Sequence, residues 1–161
     1  LHHSISLTGG EPMHHSNILH KWLPELRKIL PIYLETNGTQ ISVLDDILDD
    51  IDYISMDIKL SSVCGFETPW ELHRRFLEKS KTRVCCVKLV VDMQTPQTEV
   101  LEAAEMVGKI APDTVLVIQP LTRNDTIHIS SNRLLELQAA ALNHLADVRI
   151  IPQTHRFLDL L

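Results

Sequence analysis

Residues 6–15 read SLTGGEPMHH: an alternating strand runs into two glycines, a glutamate and a proline. Gly9 and Gly10 permit positive φ and let a ligand approach the main chain, while Pro12 ends the strand and fixes the next turn. The bared carbonyls accept hydrogen bonds and Glu11 adds an acceptor with charge. Such a pocket suits a cation that donates several hydrogen bonds, such as an ammonium group. A phosphate would be repelled, because a phosphate loop needs converging N–H groups and has no use for a glutamate at its apex. A plain strand-end turn would use the same residues, so the surrounding sequence decides between the two.

Working outward, the spacing predicts a strand over Ser4 to Thr8, a helix from about Asn17 to Leu30 and a strand over Ile32 to Thr36 that ends at the Asn37-Gly38 turn. A helix from about Val43 to Asp50 leads to a strand over Tyr53 to Lys59. A helix around Trp70 to Lys79, opened by Pro69, precedes a strand over Arg83 to Val91. Thr95 reads as the N-cap of a helix to about Ile110, Val115 to Gln119 as a strand, and Ser130 or Ser131 as the cap of a helix to about Leu145. Val148 to Pro152 is the sixth strand. His14 and His15 read as helix-start residues.

Six such βα units imply a parallel sheet covered by helices, either doubly wound or curled toward a barrel. Buried parallel strands should be nearly all apolar, yet here polar residues recur in register. Ser4, Ser6 and Thr8 share one face; so do Tyr33, Glu35 and Asn37, and so do Ser55, Asp57 and Lys59. Lys88 interrupts another strand, Gln119 ends one, and Gln153 and His155 share a face just past the last. The pattern describes a barrel-like wall with polar groups at the C-terminal strand ends, where parallel α/β folds place their sites. Asn37 beside Gly38 also suits a simple turn.

The chain of 161 residues suits one domain. Its 44% hydrophobic and 22% charged content is that of an ordinary globular protein, and no apolar run approaches the length of a membrane span. No secretory leader is read at the start, so the cytoplasm is the expected compartment. With 15 Lys and Arg against 21 Asp and Glu, the net charge of −6 disfavours nucleic acid as a partner and favours a small ligand. Cys64, Cys85 and Cys86 form no CxxC pair and read as buried thiols.

Six segments together, SLTGGEP, YLETNGT, ISMDIKL, VKLVV, VIQPLT and VRIIPQTHRFL, resemble radical S-adenosylmethionine enzymes. Within that superfamily they are most similar to the 7-carboxy-7-deazaguanine synthase family of queuosine and deazapurine biosynthesis. The resemblance runs from Ile5 to the end, and LTGGEP and PQTHRFL are its most specific parts. It implies a partial, incomplete TIM-like barrel, with residues 1–161 forming a single core domain that lacks an N-terminal unit. It further implies that Gly9, Gly10 and Glu11 hold the methionine amino group of S-adenosylmethionine, and that Ser55 and Lys59, with Asp57 as an alternative, bind the same cofactor. Glu35 and His155 would contact a pterin-like substrate, joined by Asn37 and Gln153 on the same strand faces. The implied reaction is radical ring contraction of 6-carboxy-5,6,7,8-tetrahydropterin to 7-carboxy-7-deazaguanine with loss of ammonia. The implied cofactors are S-adenosylmethionine, a 4Fe-4S cluster and Mg2+, with an electron donor such as flavodoxin or ferredoxin. Many members are dimers, which admits a homodimer here.

One departure is large. The superfamily's CxxxCxxC loop, whose thiolates hold the cluster, is absent from these 161 residues, so no metal ligand is assigned. On its own the chain is therefore expected to be inactive. The departure keeps two other readings open: an activating enzyme for a glycyl radical protein, against which PQTHRFL argues, and a non-catalytic remnant.

Overall fold

The computed structural model describes residues 2–123 and 126–153. Strand β1 (Ile5–Leu7) is followed by helix α1 (Ser16–Leu26), β2 (Ile32–Thr36), α2 (Ile41–Ile47), β3 (Tyr53–Ile58), the short α3 (Ser61–Cys64) and α4 (Trp70–Ser80). Then come β4 (Val84–Val91), α5 (Gln97–Ile110), β5 (Val115–Pro120), the strand pair β6 (Thr122–Arg123) and β7 (Thr126–Ile127), α6 (Ser131–Ala141) and β8 (Val148–Ile150). The fold is α/β, with a six-stranded parallel sheet in the order β1-β2-β3-β4-β5-β8, compatible with the partial TIM-like barrel implied above. Among the described residues no helix is long and apolar enough to cross a membrane.

The described chain divides into two compact units. One comprises Leu1–Asp57 and Pro69–Cys86, the other Ile58–Thr68 and the chain from Val87 onward. In the first, β1, β2 and β3 run parallel, with Ser6 opposite Tyr33, Tyr33 opposite Tyr53 and Glu35 opposite Ser55. The expected alternation is realised on β2: Ile32, Leu34 and Thr36 are buried, whereas Tyr33 and Glu35 are half-buried on the other face. Leu23, Leu44 and Phe76 from α1, α2 and α4 are fully buried, and α1 packs on α2 and α2 on α4. Burying each such side chain stabilises the fold by about 1.5–3 kcal/mol relative to leaving it in water.

In the second unit α5 packs on α6, and β5 pairs with β8 in parallel, Leu116 opposite Val148. Gly108 makes the helix contact possible. A methyl group there would lie 2.3 Å from the His144 carbonyl oxygen, in the turn just after α6.

Several local features differ from the sequence reading. Helix α1 stops at Leu26 instead of Leu30: Arg27 N still donates to Leu23 O at 2.9 Å, and the chain then continues through a turn to Pro31. Thr95 is not the cap of α5. Its hydroxyl accepts from Asp92 N at 2.9 Å within the preceding turn, and Pro96 occupies the cap position. Ser130 is the cap of α6, accepting from Arg133 N at 3.3 Å. A 3-10 turn over Pro12–His15, helix α3 and the β6–β7 pair were not anticipated, each being too short to carry a periodic pattern. The three cysteines are half-buried, not buried, and none is in a disulfide.

Candidate functional site

The glycine-glutamate turn is built as its sequence demands. Gly9 has φ of 88° and Gly10 of 56°, both left-handed, and a methyl group added at either would meet no atom within 4 Å. The main chain there is bare and faces open space. Glu11 folds back over this turn and reaches the end of β2. Its Oε1 accepts from Met13 N at 3.2 Å and from the Thr36 hydroxyl at 2.8 Å, and its Oε2 accepts from Asn37 N at 2.7 Å. The carboxylate thus caps the Pro12–His15 turn and ties the C-terminal ends of β1 and β2 together.

Thr36, which the sequence reading passed over, is the hinge of this arrangement. It is buried on the helix-facing side of β2, its hydroxyl also accepts from Gly38 N at 3.2 Å, and Met13 Sδ lies 3.3 Å away. A signal was available: Thr36 is the one polar residue on the apolar face of IYLET. Gly38 behind it has φ of 68° and is tightly enclosed. A methyl group there would lie 2.6 Å from Met56 Cγ and 3.4 Å from His73 Nδ1. Burial lowers the His73 imidazole to about 4, outweighing the opposing influence of the Gly38 backbone and Asp57.

Of the other expected site residues in the first unit, Glu35 stands beside the glycine turn, its Oε2 accepting from the Thr8 hydroxyl at 3.3 Å. The Asn37 side chain serves its own turn, Oδ1 accepting from Thr39 N at 3.1 Å and from the Thr39 hydroxyl at 2.7 Å. Ser55 is buried and its hydroxyl receives the Cys86 thiol at 3.3 Å. Asp57 is half-buried on the same face of β3 as Ser55. Toward the start of these strands, Tyr33 is raised by burial and by the thiols of Cys86 and Cys85. Cys85 is raised by hydrogen bonding with Cys86 and by burial.

In the second unit Lys59 is exposed at the end of β3, in a segment held by side chains. Thr68 donates to the Lys59 carbonyl at 3.1 Å and accepts from Ser61 N at 2.8 Å. Glu99 on α5 accepts from the Ser61 hydroxyl, from Ser62 N at 3.2 Å and from the Ser62 hydroxyl at 2.6 Å, capping α3. Gln153 is half-buried, its Oε1 accepting from Thr122 N at 3.2 Å. The same unit holds an open cavity of about 500 Å³ whose polar lining includes Asp92, Arg123, His128 and Ser130; the sequence reading named only Ser130 among these, and as a helix cap. His155 lies outside the described residues.

The turn at Gly9 to Glu11 fits the ammonium end of S-adenosylmethionine: a bare main chain in open space with a carboxylate beside it. The cysteines do not fit an iron–sulfur cluster. Thiolates are the ligands such clusters need, whereas Cys85 and Cys86 donate to Ile54 O and to Ser55, and the Cys85 thiol is held protonated. Among the described residues no three His, Cys, Asp or Glu side chains converge as a metal site.

Three curated relatives place the chain. A 7-carboxy-7-deazaguanine synthase of Geobacter sulfurreducens is 46% identical over 159 residues, 98% of this chain and 64% of the relative. One of Thermococcus kodakarensis is 31% identical over 167 residues, 99% of this chain and 64% of the relative. One of Methanothermobacter thermautotrophicus is 30% identical over 179 residues, 98% of this chain and 70% of the relative. The chain thus spans less than two thirds of the first two relatives' length. No family model matches it. On identity and coverage together, the chain belongs to the 7-carboxy-7-deazaguanine synthase family.

Proposed function

We propose that this chain carries the cofactor-holding and substrate-facing part of an enzyme that converts 6-carboxy-5,6,7,8-tetrahydropterin to 7-carboxy-7-deazaguanine, using S-adenosylmethionine. The observation that carries the reading is the Glu11 carboxylate fixed beside the open Gly9-Gly10 turn, in a chain 46% identical to a synthase of that name. When bound and given one electron by an outside donor such as flavodoxin or ferredoxin, S-adenosylmethionine would supply the hydrogen-atom abstraction that starts the ring contraction, with ammonia as the leaving group. The chain's own part is to bind and orient. The carbonyls of the glycine turn and Glu11 receive the methionine ammonium. Glu35, one strand over, presents acceptors to the amino and ring N–H groups of the pterin. By the family resemblance, Ser55, Asp57 and Lys59 are assigned to the cofactor, and Asn37, Gln153 and His155 to the substrate. No step is assigned to a cluster, because the described cysteines do not fit one, and none is routed through Mg2+.

The reading is tested by measuring equilibrium binding of S-adenosylmethionine and of carboxytetrahydropterin to Glu11→Ala and Glu35→Ala. Glu11→Ala should weaken the cofactor about tenfold or more while sparing the pterin, and Glu35→Ala should do the reverse. Equal losses of both ligands in both variants would contradict these roles.

A further inference from the structure

Glu11 is not an uncommitted carboxylate. A carboxylate offers about four acceptor positions, and three are filled from within the chain. Met13 N and the Thr36 hydroxyl occupy Oε1, and Asn37 N occupies one position of Oε2. A ligand therefore meets one remaining position, on Oε2. Which way that position points is set by the two short bonds that fix the carboxylate plane, Asn37 N on Oε2 at 2.7 Å and the Thr36 hydroxyl on Oε1 at 2.8 Å, and of these only the Thr36 hydroxyl is a side-chain group. Thr36 can impose this direction because it is itself immobilised. It is 3% exposed, accepts from Gly38 N, and has Met13 packed against it. Gly38 in turn cannot shift toward Met56, which already lies where a side chain would be.

We infer that Thr36 is the positioning residue of the ammonium pocket: its hydroxyl fixes the Glu11 carboxylate plane so that one Oε2 lone pair is aimed at the ligand's amino group. The inference rests on the reading of Glu11 as the ammonium acceptor and adds a residue that does not touch the ligand. Losing the hydroxyl leaves Oε1 held only by the longer contact from Met13 N at 3.2 Å, while Asn37 N still holds Oε2; the carboxylate can then tilt about its terminal bond, a torsion with a broad energy profile, and its free acceptor is less well directed. The effect should be confined to ligands that carry the amino group.

The test compares binding of S-adenosylmethionine and of its analogue lacking the amino group, by titration calorimetry on the full-length protein. Thr36→Val should weaken S-adenosylmethionine about tenfold, leave the des-amino analogue unchanged, and be rescued by Thr36→Ser. Equal loss for both ligands, no loss for either, or failure of serine to rescue would overturn the inference. Should the valine methyl disturb Met13 and prevent folding, Thr36→Ala carries the same comparison. Glu11→Gln separates this from the underlying reading. If it leaves S-adenosylmethionine affinity intact, the ammonium pocket itself is wrong and the inference falls with it. If it weakens the cofactor while Thr36→Val does not, only the role of Thr36 is refuted.

Discussion

His73 shows how a single buried side chain links the site to stability. Its imidazole is almost completely buried on α4 behind the Asn37-Gly38 turn, edge-on to Trp70, and burial holds it near 4 against an ordinary value of 6.5. Above pH 6.5 it is neutral whether the chain is folded or not, and its contribution is fully present. As pH falls from 6.5 toward 4, the unfolded chain takes up the proton while the folded one refuses it, so stability declines by up to about 3 kcal/mol. Urea unfolding at pH 7, 6 and 5 should show this decline in the natural protein and a flatter profile in His73→Leu. Parallel profiles for the two would contradict it. At this scale the sequence was an uneven guide. The motif GGE announced an acceptor pocket, and the positive φ of Gly9 and Gly10 agrees with it. That Glu11 spends most of its capacity on Met13, Thr36 and Asn37 depends on a contact 25 residues away, which no local pattern encodes.

Among the elements, α3 is the clearest case of structure made by side chains. Four residues cannot hold a helix by backbone bonds alone, and the carboxylate of Glu99 supplies what is missing by receiving two hydroxyls and one backbone N–H of Ser61 and Ser62. Glu99→Ala should cost about 1–3 kcal/mol and raise amide hydrogen exchange over 60–64 while β5 and α6 keep their protection. A uniform rise in exchange through the unit would mean that Glu99 supports the whole fold instead. The main strands and helices were legible because their periods are long enough to show: IYLET alternates, and the helices over 70–80 and 97–110 repeat their apolar residues every three to four positions. Helix α3 and the β6–β7 pair fall below that length. The cap of α5 was misread because Thr95 satisfies both a cap and a turn, and the Asp92 backbone claims its hydroxyl first.

The whole molecule joins an α/β scaffold of parallel strands to a membership that identity and coverage establish, 30% over 70% of the Methanothermobacter thermautotrophicus relative's length and 46% over 64% of the Geobacter sulfurreducens relative's. The sequence reading put the candidate site at the C-terminal strand ends because polar residues recur there, and on neighbouring strands they fall in register, Glu35 opposite Ser55. Ligand chemistry was legible only in part, since Cys64, Cys85 and Cys86 show by spacing and surroundings that they are not cluster ligands but do not show what is. The central claim is that this fold serves deazaguanine synthesis. The most direct measurement is an anaerobic assay of the full-length protein, reconstituted with iron and sulfide and supplied with reductant, S-adenosylmethionine and 6-carboxy-5,6,7,8-tetrahydropterin. The account predicts 7-carboxy-7-deazaguanine and ammonia in equal amounts, abolished by Glu11→Ala. Formation of 5'-deoxyadenosine only with other substrates, and no deazaguanine product from the carboxytetrahydropterin, would contradict it.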